Sequence, residues 1–276
     1  MQTNPIYVDL DDLVARIPDG AKLAVPKDDA GVAIEATRAL IRKGVNNLHL
    51  VCLPVSSFQA DILIGAGCVA TIECSGVALG EAGMAPRFRD AVQNGKLRIM
   101  DATCPAIYAA IQAGEKGLPF MAVRGLIGSD ILAHRDDWKV IQNPVTNDDD
   151  PIVIVPAIRP DVALFHARLG DRLGNVWAGN RRECVQLAHA ARSALVTVEE
   201  IFDGNLMEDE RYIAGAIPPL YVDAVSHVPN GAWPAGLTGR YERDIDHLRE
   251  YASAAKTDDG FQDYLERNVL KTPLPA

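Results

Sequence analysis

The sequence predicts an α/β fold in which an open, largely parallel sheet is covered by helices. Three observations point there. Short runs such as LHLVCL, Leu48 to Leu53, are apolar at nearly every position, as strands buried between two helical layers are. Between them lie segments with apolar residues at three- and four-residue spacing, such as VAIEATRALIRK, Val32 to Lys43. Glycines and prolines mark the joints between the two kinds of segment.

Taken in order, Leu10 to Ile17 reads as a helix, Lys22 to Val25 as a short strand, and Val32 to Lys43 as a helix stopped by Gly44. Strand Leu48 to Leu53 follows, then a short helix, Ala60 to Ile64, ending in the turn Gly65-Ala66-Gly67, and the strand Val69 to Cys74. Pro86 to Asn94 reads as a helix closed by Gly95, Leu97 to Met100 as a strand and Pro105 to Gly114 as a helix. After a polar break, QNPVTNDDDP, the rhythm continues with strands IVIVPAI and DVALFHA, a helix Arg181 to Ala191, and strands ALVTVEEI and YVDAVSHV. The break is short and acidic, so it reads as an exposed loop rather than a linker. Residues 1–238 form one domain in this reading, and 239–276, with GRYERDIDHLREYASAAK, a helical extension that docks on it.

Composition excludes several classes. Hydrophobic residues make up 48% and charged residues 23% of 276, as in an ordinary globular domain. A net charge of −10 argues against a nucleic-acid or anionic-membrane surface. Five cysteines with no CxxC pair, several in apolar runs, read as buried free thiols of a reducing compartment rather than a zinc site or disulfide frame. No apolar run approaches the ~20 residues of a membrane helix, and MQTNPIYVDLDD lacks a signal peptide's basic start, so a cytoplasmic protein is expected.

The ordered pieces NNLHL, ADILIGAGCV, PRFRDAVQNGKL, GLPFMAVRGLIGSDIL, PAIRPDVALFHA, LVTVEEI and YVDAVSHVPNGAWP resemble the alpha subunit of family I coenzyme A transferases, above all the glutaconate type. The likeness runs from about Leu10 to Pro234. It implies the sugar-phosphate-isomerase and CoA-transferase type of α/β fold, a coenzyme A thioester and a small carboxylic acid as substrates, no bound cofactor or metal, and a partner beta subunit. In that family a beta-subunit glutamate attacks the acyl thioester, which splits one hard transfer into easier steps. The equivalent strand end here, VCLPVSS, Val51 to Ser57, has no acidic residue, so the nucleophile is expected in the partner chain.

The resemblance also directs attention to three loops. The first is the joint LAVPKDDAG, Leu23 to Gly31, where alpha subunits commonly carry glycines whose amides hold an oxyanion. Pro26 removes a donor there, and two readings stand for Lys27: a cationic electrophile replacing the lost amides, or a solvated turn lysine. Asp28 and Asp29 are candidates to act on substrate or water, although a cap on the following helix is the preferred reading. The second loop, CSGVALGEAGMAPRF, holds Ser75 and Glu81 on the side that faces the acyl pocket in relatives; a solvated carboxylate is the plainer reading of Glu81. The third, GLIGSDIL, places Gly128 and Ser129 as substrate-binding candidates, with a structural turn as the competing account.

Other residues have plainer expectations. His49, His166 and His227 read as core histidines with a bonded nitrogen; Glu199 and Glu200 as interface or solvated residues; and GNRRE, Gly179 to Glu183, as a surface ion-pair cluster rather than a phosphate site. Asp101 stands where hydrolases of this fold carry a glutamate. Three functions follow: one half of a CoA transferase, one half of a CoA-thioester or carbon-carbon hydrolase, or a non-catalytic acyl-CoA-binding partner.

Overall fold

The computed structural model describes residues 6–27 and 31–270. In chain order the elements are α1 (Leu10–Ala15), β1 (Lys22–Pro26), α2 (Ile34–Lys43), β2 (Leu48–Leu53), α3 (Phe58–Gly65), β3 (Val69–Cys74), α4 (Pro86–Gln93), β4 (Arg98–Asp101) and α5 (Cys104–Glu115). There follow β5 (Phe120–Val123), β6 (Lys139–Gln142), β7 (Pro151–Pro156), β8 (Val162–Asp171), β9 (Val176–Trp177), α6 (Arg182–Ala190), β10 (Ser193–Phe202), β11 (Ala216–Ile217) and β12 (Ala224–His227). The tail adds α7 (Ile245–Ala254) and α8 (Asp258–Leu265).

The main sheet runs parallel from β4 through β3, β2, β1, β8 and β10 to β12, with β9 and β11 attached antiparallel beyond the far half of β8. Alternation along a strand sends successive side chains to opposite faces. Leu23 and Val25 of β1 and Leu48 and Leu50 of β2 therefore pack with Leu40 of α2 and Leu63 of α3, while Ala24, Val51 and Leu53 pack with Ile107 and Ile111 of α5 and Leu187 of α6. That two-sided burial is why these strands read as unbroken apolar runs. Gly44 ends α2 in the left-handed conformation, φ 74°, the usual glycine stop.

Three expectations need correction. The run IVIVPAI does not continue the parallel sheet: as β7 it is the centre of a separate antiparallel sheet between β5 and β6. The partners escape sequence reading because both are four residues long and partly or wholly exposed, and so lack a long apolar run. The tail is two helices rather than one, broken at Thr257, whose hydroxyl caps α8 through the Gly260 N–H at 3.1 Å. Its buried Tyr251, Phe261 and Tyr264 form a third apolar cluster with Phe58 and Ile62 of α3, and the Phe58 and Tyr251 rings meet edge to face at 4.7 Å. Finally, the N-cap position of α2 is Ala33, with no side-chain bond to the helix, so the helix does not begin at Asp29. Asp28 and Asp29 lie outside the described residues.

Candidate functional site

In open parallel sheets ligands collect beyond the carboxyl ends of the strands, because helix starts and loops converge there. Here β1 and β2 end level, Pro26 in register with Leu53, so Lys27 and Pro54 are the first residues past the paired ends of the two strands. Pro26 is the last paired residue of β1, so its missing N–H falls at the end of the ladder and not within it. The next strand over, β3, ends at Cys74, and Ser75 turns back on β2: its N–H and its hydroxyl both donate to the Pro54 carbonyl, at 2.9 and 3.1 Å. The Ser75 Oγ also lies 3.1 Å from the Sγ of Cys104, the first residue of α5. Lys27, Pro54, Ser75 and Cys104 thus follow one another along a single edge.

Cys104 departs from the expectation of buried thiols. Cys52, Cys68, Cys74 and Cys184 are buried, but Cys104 is exposed at that edge. Its Cys-Pro step at a helix start was the available signal, since proline in the first turn fixes where the helix begins. At the β2 end, Ser56 and Ser57 are 3% and 5% exposed, yet neither hydroxyl has a hydrogen-bond partner among the described residues. The Ser56 N–H donates to Gly76 at 3.2 Å and its carbonyl accepts from Ala78, which stitches this loop to the one carrying Ser75.

The remaining candidates lie farther apart. Glu81 is exposed on a short 3-10 turn, Gly80–Ala82, packed against α7, and not with Ser75. Gly128 adopts φ 81°, and Ser129 precedes the 3-10 turn Asp130–His134 with its hydroxyl buried and, among the described residues, unpartnered. That turn reaches the same sheet edge through Arg135, which donates to the carbonyl of Asp101 at 3.2 Å. The Asp101 carboxylate accepts from its neighbour Ala102 N–H at 2.9 Å, a local bond that ends β4.

Below this edge Arg135 reaches Glu73 at 2.7 Å and Asp137 at 2.8 Å, and its guanidinium lies 4.2 Å from the Trp138 ring centre. His49 stands 3.3 Å from the second Glu73 oxygen, a half-buried ring beside a buried acid rather than a core histidine. Burial pushes the Glu73 carboxyl up, but the His49 ring beside it and the Arg135 charge and hydrogen bond together outweigh it and hold the group below its ordinary value.

The geometry changes where β8 outruns β1. The two pair only at Leu23–Val162 and Ala24–Ala163. Farther along, the His166 N–H donates to the Gly31 carbonyl at 2.8 Å, so the joint after β1 closes onto β8. A Cβ on Gly31 would come within 2.1 Å of the His166 carbonyl oxygen, and its φ is +87°, which is why glycine ends LAVPKDDAG. The His166 ring is buried between Thr197 Oγ1 at 2.8 Å and Glu199 Oε2 at 3.0 Å, the bonded core histidine expected. Burial lowers its pKa against the opposing pull of Glu199. The neutral ring donates from Nε2 to Glu199 and accepts at Nδ1 from Thr197.

Glu199 is likewise internal, accepting from the Asn230 N–H at 2.9 Å and Tyr241 OH at 3.1 Å, whereas Glu200 pairs with Arg240. His227 contradicts the core reading: it is exposed at the end of β12 and lines an open cleft of about 1050 Å³ with an acidic rim of Asp9, Asp11, Asp12 and Glu35.

Beyond Gly31 lies a smaller cavity of about 270 Å³, lined by Arg168, Trp177, Asn180, Arg181 and Thr238 among others. Among the described residues the cluster GNRRE forms no ion pair within salt-bridge distance, and part of it faces the cavity: Arg181 donates to Thr238 Oγ1 at 2.7 Å, and Asn180 and Arg181 line the space. Among the described residues no group of three metal-ligating side chains converges, and no helix is long and apolar enough to cross a membrane.

Comparison with known proteins sets this architecture in context. The family model described as coenzyme A transferase matches residues 7–227. The chain is 32% identical over 263 residues to the A subunit of 3-oxoadipate CoA-transferase from Pseudomonas knackmussii, covering 93% of this chain and 90% of that protein. The crystal structure of glutaconate coenzyme A-transferase from Acidaminococcus fermentans superposes with a TM-score of 0.89 at 27% identity, covering 97% of this chain and 89% of that one. The C56S variant of the decarboxylase AibA/AibB superposes with a TM-score of 0.81 at 28% identity, covering 95% and 98%.

Proposed function

The chain belongs to the coenzyme A transferase family, and we propose that it is the A-type half of a two-subunit enzyme that moves CoA from an acyl-CoA to a carboxylic acid. One observation carries the division of labour: the β2 end, Leu53 to Ser57, presents Pro54 and two buried serines and no carboxylate, in a chain that aligns almost end to end with the A-type half of the 3-oxoadipate enzyme. In this reading a glutamate of the partner attacks the thioester carbonyl. The acyl group passes to the glutamate oxygen as an anhydride and CoA leaves as thiolate. The thiolate attacks the glutamyl carbonyl and releases the first carboxylate, and an acceptor carboxylate reverses the sequence to leave as the new acyl-CoA.

Each addition places negative charge on a carbonyl oxygen, and catalysis depends on positive potential set in advance at that oxygen. Lys27, Ser75 and the loop of Gly128 and Ser129 are this chain's contributions. Lys27 supplies charge just past the end of β1, where Pro26 cannot donate an N–H. Ser75 is held rigidly by its two bonds to Pro54. Transfer is favoured over hydrolysis because the β4 end carries Asp101 and no glutamate, and one oxygen of that carboxylate is engaged by its own following amide. The test is isotope exchange: the chain co-expressed with its beta partner should move label from a free acid into acyl-CoA. Thioester cleavage without exchange would establish the hydrolase reading in its place.

A further inference from the structure

The cavity between β8, β9 and the segment Leu237–Thr238 presents a guanidinium with no counterion among the described residues. Arg168 is half-buried, its Nε is out of contact with water and has no hydrogen-bond partner there, and no described carboxylate lies within ion-pair distance of it. The register that sets Val198 beside Ala167 and Glu200 beside Leu169 brings Glu199 across from Arg168, but Glu199 is occupied by His166, Tyr241 and Asn230. A polar N–H closed off from water without a partner is costly, and the Trp177 ring, 4.9 Å from the guanidinium, offsets only part of that cost.

The guanidinium is also held in place. Gly239, at φ +77°, lays its backbone over it so closely that a Cβ would come 3.0 Å from Nη1. Arg181 and Asn180 add further donors to the lining, and among the described residues that lining includes no carboxylate, in a chain whose net charge is −10. At about 270 Å³ the space falls just under the roughly 300 Å³ at which sites for drug-sized ligands begin, so it suits a short organic acid and not a nucleotide.

We infer that this cavity receives the remote carboxylate of a dicarboxylic substrate, with Arg168 as its receptor. The inference rests on the transferase reading above for why a short acid should come here, since Gly31 of the β1 joint forms part of the wall. A planar fork stacked on an indole suits a carboxylate's two oxygens, and the substrate's other carboxyl would extend toward the joint. A substrate with one carboxyl would leave Arg168 unpaired, which makes the residue specificity-determining.

The cavity lies within this chain, so calorimetry on the full chain alone can test the site independently of turnover. The probes are glutarate, pentanoate and inorganic phosphate. Glutarate should bind at least about tenfold more tightly than pentanoate or phosphate, and Arg168→Gln should weaken it by about tenfold to a hundredfold, the loss expected for a charge-assisted bond. Arg168→Lys should recover only part of the affinity. Equal binding of pentanoate, equal binding of phosphate, or an unchanged Arg168→Gln would each overturn the inference. If Arg168→Gln does not fold, the order of the three probes on the wild-type chain and the Arg168→Lys result decide it. In the assembled enzyme, Arg168→Gln should also reduce the kcat/KM preference for dicarboxylic over monocarboxylic acids by about tenfold. Exchange without any such preference would remove this inference and leave the transferase reading intact, whereas Arg168-dependent glutarate binding without exchange would do the reverse.

Discussion

Glu73 on β3 and Arg135 after the Asp130–His134 turn meet at 2.7 Å with each side chain only 3% exposed, and this contact ties the small antiparallel sheet to the edge where the parallel strands end. Removing one partner leaves a buried charge uncompensated. Arg135→Met should therefore cost roughly 3–5 kcal/mol in urea unfolding, and the double variant Glu73→Gln with Arg135→Met should recover much of that loss. A double variant as unstable as the single would show that packing, and not charge, holds this joint.

The same pair sets an acid limit. The native Glu73 carboxyl lies below its ordinary value, so its stabilising contribution is complete above the unfolded pKa of roughly 4.5 and is lost as the pH falls through the native one. Wild-type stability should decline more steeply below pH ~4.5 than that of Glu73→Gln. Parallel denaturation curves at pH 5 and pH 3 provide the comparison.

Asp61 has the opposite sign. It is fully buried, accepting from the Phe88 N–H and from the Tyr251 OH, both at 2.7 Å, and burial raises its pKa to about 6 against those bonds. The native state therefore holds a proton that the unfolded state releases near pH 4, and stability from this group is lost between pH ~4 and ~6. Asp61→Asn should gain on the wild type by roughly 2–3 kcal/mol from pH 4 to pH 7. A difference that does not vary with pH would mean that the carboxyl stays ionised throughout. Because Tyr251 anchors the tail helix to α3, amide exchange in α7 should follow the same pH dependence.

At the β1 joint, Lys27→Ala in the assembled enzyme should lower kcat by on the order of 10², as loss of an oxyanion donor does, and Lys27→Arg should restore part of it. Near-normal kcat with Lys27→Ala would assign the lysine to the turn alone. The melting temperature should hardly change in either case, since the residue lies outside the buried core.

Purified without a partner, the chain should turn over no acyl-CoA from a panel of short acyl thioesters. Activity should appear when a beta subunit that carries the glutamate is added. Turnover by the isolated chain would place the nucleophile here after all and would redirect attention to Cys104 and Ser75.

Much of this architecture was legible from local chemistry. Strands β1, β2 and β3 announced themselves because both faces are buried, and α2 because its apolar spacing ends at Gly44. The absence of an acid at Leu53 to Ser57 is likewise a fact of sequence alone, while the expectation that a nucleophile would stand at this strand end came from the family resemblance. What local pattern cannot show is which segments meet. The run at β7 has the composition of a central parallel strand, yet its neighbours are two short strands whose exposed faces lack an apolar signature. His166 and His227 both lie on apolar strands, and only the surrounding elements bury one and expose the other. Arg168 follows the run DVALFHA with no local feature that marks it out. Its meaning comes from residues far away in the chain: Trp177 beneath it, Gly239 above it, and a Glu199 already claimed by His166. A charge becomes a binding group when its counterions are withheld, and that depends on tertiary contacts which no single stretch of sequence contains.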